Sequence, residues 1–101
     1  MLCVMAVLSK GESYGYDIVK ALDHVSQGRF QMPEGTLYPI LYRLEDKGYV
    51  SIRYETSGKR MRRAYYSLTE EGQAYYRALA EEYRRVEEGI QLILAYSESG
   101  K

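Results

Sequence analysis

The stretch that decides the fold runs from residue 34 to residue 69 and reads EGTLYPILYRLEDKGYVSIRYETSGKRMRRAYYSLT. Its first part places apolar residues at the i, i+3, i+4, i+7 spacing of an amphipathic helix, at Leu37, Ile40, Leu41 and Leu44. Its second part alternates with period two on both sides of a Ser-Gly pair, which is typical of a β-hairpin. The stretch therefore predicts a helix followed at once by a hairpin.

The tip of the predicted hairpin is basic, since four of the five residues from 59 to 63 are Lys or Arg. A helix joined to a hairpin with a basic tip is how a winged helix-turn-helix contacts DNA. The whole chain has no net charge. However, residues 51–68 contain five basic residues and one acidic residue, whereas residues 69–98 contain three basic and seven acidic residues. Because binding depends on the local field, this polarity favours contact between the hairpin end and a phosphate backbone.

Two further helices are predicted before this stretch. The first covers about residues 2–9 and ends before a loop at residues 10–13. Ser13 is the expected N-cap of the second helix, and Gly28 marks its end. Its apolar spacing predicts a buried side made of Tyr14, Ile18, Ala21, Leu22 and Val25.

The third helix is expected to begin with Pro33 at its first position and to run to about Lys47, with Gly48 as the C′ residue. Pro39 leaves two alternatives, because proline inside a helix removes one backbone hydrogen bond. Either the helix runs through Pro39, or it begins there after a turn. The apolar spacing that starts at Leu37 favours the longer helix.

The strands are expected at about residues 49–56 and 61–68. Val50, Ile52 and Tyr54 share one face, and the partner strand presents Ala64, Tyr66 and Leu68 on the same side. Thr69 is the expected N-cap of a final helix that has Glu70 and Glu71 in its first turn. The fold class is mainly α with a β-hairpin. Residues 1–68 form a winged helix-turn-helix DNA-binding domain, and residues 69–101 form a C-terminal dimerisation helix.

The start of the third helix is the expected reading element, because the N-terminal residues of a recognition helix meet the base edges. Those residues are Glu34, Gly35 and Thr36. Tyr38 and Tyr42 lie one turn apart; their hydroxyls could donate to phosphates, or their rings could simply cover the core. The basic residues expected to hold the backbone or the adjacent minor groove are Lys59, Arg60, Arg62 and Arg63. By itself such a charge run is usually a solvated surface.

The last helix carries a heptad seam. Its members, spaced 3 and 4 residues apart in turn, are Tyr76, Leu79, Tyr83, Val86, Ile90 and Ile93. The stripe either packs on its own domain or pairs with a second copy. Because three helices and the hairpin already supply a small core, the sequence favours a homodimer. Gly89 interrupts this helix.

Other classes of function lack the residues they need. His24 is the only histidine and Cys3 the only cysteine, so catalytic triads and ordinary zinc sites have too few members. We therefore expect no enzyme, metal or cofactor, and we read Cys3 as a small core residue. No apolar run has the length of a membrane span, and residues 1–8 lack the flanks of a signal peptide. The expected compartment is the cytoplasm.

Several motifs together resemble the PadR-like transcriptional regulators. They are YGYDI at 14–18, EGTLYPIL at 34–41, RLE at 43–45, GYV at 48–50 and YYSLTEEG at 65–72. The resemblance implies a winged helix-turn-helix repressor that binds an inverted-repeat operator in double-stranded DNA and dimerises through its terminal helix. It also implies that proline lies inside the recognition helix, as the longer alternative for Pro39 requires.

The chain is similar to the short members of that family, which have a single C-terminal helix. Some of these bind planar aromatic compounds between subunits by stacking on tryptophan. This chain has no tryptophan, and Tyr83 is the residue that could substitute. Two other functions stay open: a small-molecule sensor whose aromatic dimer pore is its main activity, and a winged-helix protein-interaction module.

Overall fold

The computed structural model describes residues 1–57 and 61–100, and for Ser57, Met61 and Arg62 it describes the main chain only. Within these residues the chain forms four helices and a small antiparallel sheet with strand order β1-β3-β2. The elements are α1 (Leu2–Leu8), β1 (Ser13–Tyr14), α2 (Gly15–Val25), α3 (Glu34–Asp46), β2 (Val50–Ser57), β3 (Met61–Leu68) and α4 (Glu70–Ser97). None of the described helices has the length and apolar character that crossing a membrane requires. The predicted fold class, a winged helix-turn-helix followed by a C-terminal helix, is confirmed.

The core lies where α1, α2, α3 and the hairpin meet. Three of the four apolar residues that predicted α3 are fully buried, and Ile40 lies half-buried at the edge of the same core. The remaining buried side chains come from the other elements and are Val4, Met5, Leu8, Ile18, Leu22, Val50 and Tyr66. Cys3 packs against this cluster, as expected of a small core residue.

Helix α3 runs through Pro39, so the longer of the two alternatives is correct. Pro33 is the N-cap residue rather than the first helical residue, and its carbonyl accepts from the N–H groups of Thr36 and Leu37. The helix ends at Asp46, and Gly48 is the C′ residue as predicted, with a φ of +79° that favours glycine. The N–H of Tyr49 donates to the Leu44 carbonyl at 2.9 Å, which closes a Schellman motif.

The register of the hairpin matches the predicted faces. Val50 pairs with Leu68, Ile52 with Tyr66, and Tyr54 with Ala64. Because side chains alternate along a strand, these residues share the face that lies toward the helices. The opposite face carries Arg53, Glu55, Arg63 and Tyr65.

Two expectations about the second helix are wrong. Ser13 does not cap it: Ser13 belongs to β1, pairs with Tyr66, and the helix begins at Gly15 with no side-chain cap. Instead, Ser13 and Tyr14 pair with the free edge of β3 as a third strand of the sheet. Val25 is not buried but 77% exposed, because α2 ends there, beyond the reach of α3.

The start of α4 is tied tightly to the turn after α3. Thr69 is the N-cap, as predicted: its hydroxyl accepts from the N–H of Gly72 at 3.0 Å and donates to the Gly48 carbonyl at 2.6 Å. A Cβ at Gly72 would collide with the main-chain carbonyl of Tyr49. The ring of Tyr49 in turn stacks on Tyr75, with centroids 4.4 Å apart.

Candidate nucleic-acid interface

The first turn of α3 stands out from the domain. Glu34, Gly35 and Thr36 are all exposed, and no side chain caps the N-terminus of this helix. The space where a Cβ of Gly35 would lie is open, with no atom within 4 Å. A flat partner can therefore approach the backbone closely here, and the unpaired N–H groups of the first turn are suited to negative charge.

The two tyrosines of α3 differ in burial. Tyr38 is half-buried, and its hydroxyl lies so close above Gly15 that a Cβ there would collide with it. Burial, together with the nearby Glu34 carboxylate, raises the pKa of Tyr38. Tyr42 is 52% exposed, and its ring stacks on that of Tyr38 with centroids 6.4 Å apart. The ring of Tyr38 therefore packs on its own domain, and the hydroxyl of Tyr42 is accessible.

A groove of about 520 Å³, called here the tyrosine groove, separates α3 from the hairpin. Six tyrosines and one arginine dominate its lining, which comprises Tyr14, Gly15, Tyr16, Tyr38, Tyr42, Tyr54, Arg63, Ala64 and Tyr66. Tyr66 is buried, and burial with the neighbouring tyrosines raises its pKa to about 12, so it stays protonated at neutral pH. Of these tyrosines, sequence reasoning proposed only Tyr38 and Tyr42 for DNA. The unusual total of twelve tyrosines is the signal that could have prompted a search for the others.

The predicted basic tip is only partly described. Lys59 and Arg60 lie outside the described residues, and Arg62 is described by its main chain in β3. Arg63 is exposed, and its guanidinium carbon lies 5.1 Å from the centre of the Tyr14 ring. In the part of the chain that the structure describes, no carboxylate forms an ion pair with Arg63.

Arg53 is the opposite case. Its guanidinium is held by both oxygens of Glu12, at 3.0 and 2.6 Å, and by Glu55 at 2.7 Å, and it lies over the Tyr65 ring. These hydrogen bonds raise the pKa of Arg53, and the bond from Arg53 lowers that of the Glu12 carboxyl. Sequence reasoning counted Arg53 in the basic field of the hairpin. Because Glu12 and Glu55 neutralise Arg53, the positive charge of the hairpin that is available to a partner comes from residues 59–63.

The seam of α4 divides into two parts. Tyr76 and Leu79 are half-buried, and Tyr76 packs against the core of its own chain. Tyr83, Val86, Ile90 and Ile93 are between 49% and 65% exposed. The stripe therefore packs on its own domain at one end and is open at the other.

Residues 1–57 and 61–100 contain no group of His, Cys, Asp and Glu side chains that could hold a metal ion. The donors that this surface exposes are the Thr36 and Tyr42 hydroxyls, peptide N–H groups of the first turn of α3 and the guanidinium of Arg63. Such donors bind phosphate and base edges.

The comparisons with known proteins agree with this interpretation of the surface. The chain is 32% identical to the transcriptional regulator YqjI of Escherichia coli over 89 residues. These residues are 88% of this chain and 41% of YqjI. It thus spans about two fifths of the length of that relative. A transcriptional regulator from Clostridium thermocellum superposes with a TM-score of 0.81 at 34% identity, covering 89% of this chain and 87% of the other.

The PadR protein of Bacillus subtilis, a negative transcriptional regulator, is 29% identical over 69 residues, which are 68% of this chain and 38% of PadR. Its crystal structure in complex with operator DNA has a TM-score of 0.72 at 25% identity, covering 78% of this chain and 45% of that one. The family model of the PadR-like transcriptional regulators matches residues 4–78. The chain therefore belongs to the PadR-like family of transcriptional regulators, which are not enzymes.

Proposed function

We propose that this regulator is a repressor that binds an inverted-repeat operator in double-stranded DNA as a homodimer. Residues 1–68 bind DNA, and residues 69–101 join the subunits, although the first turns of α4 also pack on the DNA-binding domain. Helix α3 reads the major groove, and the hairpin contacts the adjacent backbone or minor groove. Two-fold symmetry places the half-sites about one helical turn apart, roughly 10 base pairs, or a multiple of that.

The observation that carries this proposal is the exposed start of α3 beside the hairpin. Glu34, Gly35 and Thr36 lie outside the core, while the opposite face of the same helix is completely buried. The helix is thus rigidly held and still free to enter a groove. Thr36 offers a hydroxyl and a methyl group to base edges, and Gly35 permits close approach. The likeness to a PadR protein bound to operator DNA supports DNA as the partner.

Basic side chains of the hairpin supply affinity rather than sequence preference. Lys59, Arg60, Arg62 and Arg63 belong to this group in the proposal. Each phosphate that they neutralise adds roughly 0.9 to the slope of log affinity against log salt concentration. Tyr38 and Tyr42 add contacts from the same side of α3.

Dimerisation is supported by the far part of α4. Residues 81–97 extend beyond the domain, and every one of their side chains is exposed except at Gly89. An apolar seam along an exposed helix favours a partner helix that covers it. Tyr76, Leu79, Tyr83, Val86, Ile90 and Ile93 are the proposed dimer contacts, and a second copy of the seam is complementary to the first.

A small aromatic effector is a second candidate, favoured by the exposed ring of Tyr83 on the seam. A planar compound stacked there could stabilise one dimer geometry over another and so release DNA. In that case, a flat aromatic dye would quench tyrosine fluorescence in the wild type but not in Tyr83→Ala. Equal quenching in both proteins would remove Tyr83 from this role.

The principal test is DNA binding as a function of salt. With about three phosphate contacts per subunit, the dimer should show a slope of order −5 on an operator selected from a random pool. Replacing both Lys59 and Arg60 by Ala should weaken binding to every sequence alike and flatten the slope. A slope near zero for the wild type would overturn the proposal, and it would favour a protein-interaction module.

Sequence reading is tested separately by Thr36→Ala. This change removes a base contact but no charge, so it should relax base preference and leave the salt slope unchanged. The measurement is a competition between the selected operator and its single-base variants. Unchanged preference would exclude Thr36 from base reading.

A further inference from the structure

We infer that the stacked rings of Tyr49 and Tyr75 set the angle between helix α3 and helix α4, and through that angle the spacing of the two half-sites that a dimer accepts. Tyr49 lies in the turn after α3, and Tyr75 lies in the second turn of α4. The inference rests on the proposed function. It adds to that function two positioning residues outside the proposed contacts with DNA and with the partner subunit.

The two helices meet in a small cluster of contacts, called here the α3–α4 joint. The joint consists of Gly48 and Tyr49 after α3, and of Thr69, Gly72 and Tyr75 at the start of α4. On the side of α3, the N–H of Tyr49 donates to the carbonyl of Leu44 at 2.9 Å, and the Leu44 side chain is fully buried. Tyr49 is therefore held to the last turn of α3.

On the side of α4, the same main chain holds the first turn of the helix. The Tyr49 carbonyl accepts from the N–H of Thr69 at 3.0 Å, and the Thr69 hydroxyl donates to the Gly48 carbonyl at 2.6 Å. Gly72 lies directly against the Tyr49 carbonyl, where a Cβ would collide. Two successive residues after α3 thus fix the place where α4 begins.

The ring stack adds a second contact, one turn further along α4. The centroids of Tyr49 and Tyr75 are 4.4 Å apart, and their planes differ by 9°. Both rings are half-buried and pack against the core. Tilting α4 about its first turn would separate the two ring faces, so the stack opposes that tilt. The main-chain contacts therefore fix the position of α4, and the rings fix its direction.

A small rotation at the joint is enough to change the register on DNA. Helix α3 has 13 residues, so its exposed first turn lies about 20 Å from the joint. A rotation of about 10° moves that turn by roughly 3.4 Å, which is the rise of one base pair. In a dimer joined along the seam of α4, the joint therefore decides which half-site spacing the two α3 helices reach together.

The test measures affinity for a series of operators whose half-sites, selected from a random pool, are moved apart or together by one base pair at a time. The wild type should prefer one spacing and lose about tenfold for a change of one base pair, because one α3 helix is then out of register. Tyr75→Ala removes the stack, so the same change should cost it only about twofold. Its base preference within a half-site should equal that of the wild type, since the first turn of α3 is unchanged.

Two controls separate the ring stack from other effects of the substitution. Tyr75→Phe keeps the ring face and should restore the spacing preference of the wild type. Tyr96→Ala makes the same change as Tyr75→Ala at an exposed tyrosine of α4, and it should keep that preference as well. If Tyr75→Ala does not fold, Tyr75→Leu takes its place, because leucine keeps apolar bulk but has no flat ring.

Two results would overturn the inference. A loss of affinity by the same factor at every spacing would mean that the stack only stabilises the fold. Equal binding of the wild type to all spacings would mean that the angle between α3 and α4 is not fixed, although DNA binding itself would then stand.

A distance measurement tests the joint without DNA, so its failure is distinct from failure of the proposed DNA binding. Cys3 is the only cysteine, so Cys3→Ala combined with Thr36→Cys places one spin label on each α3 of a dimer. Double electron–electron resonance then gives the distribution of the distance between the two labels. Adding Tyr75→Ala should widen that distribution by about 3 Å or more, and adding Tyr75→Phe should leave it unchanged. Equal widths for all three proteins would contradict the inference.

Discussion

The two halves of α4 share one sequence pattern but meet different surroundings. In the first half, Thr69 caps the helix, Gly72 lies against the Tyr49 carbonyl, and Ala80 is buried. In the second half, Val86, Ile90 and Ile93 continue the same apolar spacing with about half or more of each side chain exposed. The difference shows that one part of the helix packs on its own domain, while the other has no partner surface among the described residues.

Two arginines of the hairpin show the same contrast. Arg53 and Arg63 both lie on the outer face of the sheet, on neighbouring strands. Arg53 is bound by Glu12 and Glu55, whereas Arg63 rests on a ring and forms no ion pair with a carboxylate of the described residues. Residues that are similar in type thus divide into structural and interaction roles according to what the tertiary fold brings beside them.

The largest effect is expected from substitutions at the two glycines of α4, one in each half of the helix. Gly72→Ala should destabilise the protein by about 3 kcal/mol, because the new methyl group meets a main-chain carbonyl that cannot move aside easily. Gly89→Ala should instead stabilise the helix by up to about 1 kcal/mol, since open space surrounds Gly89. The measurement is urea denaturation of both variants. Equal effects at the two positions would mean that the halves of α4 do not differ in packing.

A second test addresses the open half directly. Ile90→Ala should weaken the dimer by about 2 kcal/mol, roughly thirtyfold in dissociation constant, if Ile90 lies at the centre of the seam. Leu92→Ala is the matched control, because Leu92 is exposed on the same helix but lies off the seam. Its effect should stay within about 0.5 kcal/mol. Sedimentation equilibrium measures both constants, and a larger loss for Leu92→Ala would place the interface on another face.

The smallest effect concerns the Glu12–Arg53 pair, whose side chains are both exposed to solvent. Hydrogen bonding to Arg53 holds the pKa of the Glu12 carboxyl below its usual value of 4.5. The stabilisation is therefore present above pH 4.5 and is lost as the pH falls through the lowered value. We expect Glu12→Gln to lower Tm slightly at pH 7, with the gap to the wild type closing in acid.

The control for that experiment is Glu82→Gln, at an exposed carboxylate of α4 that forms no ion pair with the described residues. Its Tm should follow the wild type at every pH. A gap in Tm that persists once the Glu12 carboxyl is protonated would show that the effect does not come from this ion pair.

Much of the fold could be predicted because its signals are local. The apolar spacing of α3, the alternation in the hairpin, the cap at Thr69 and the turn at Gly48 each depend on a few consecutive residues. Ser13 shows where local reasoning failed: a serine before a helix is a good N-cap, yet here the free edge of β3 draws it into a strand. Val25 fits the apolar spacing of α2, but it lies at the last turn, where no other element covers it.

The candidate site divides in the same way. The exposed start of α3 follows from the position of its apolar face, which sequence spacing reveals. The tyrosine groove does not, because its walls come from residues 14–16, 38–42, 54 and 63–66, and only folding brings them together. The pairing of Arg53 with Glu12 spans 41 positions and could not be read from either segment.

The sequence by itself determined the four helices and the two hairpin strands, their order, and which face of α3 and of the hairpin turns inward, because periodicity and capping act within single elements. The tertiary structure decided which side chains stay exposed or without an ion pair once those elements pack. It joined β1 to the sheet, neutralised Arg53 but not Arg63, and packed Tyr76 against the core while leaving Tyr83 exposed. The physical reason is that burial and ion pairing depend on distance in space, and distant segments become neighbours only in the folded chain.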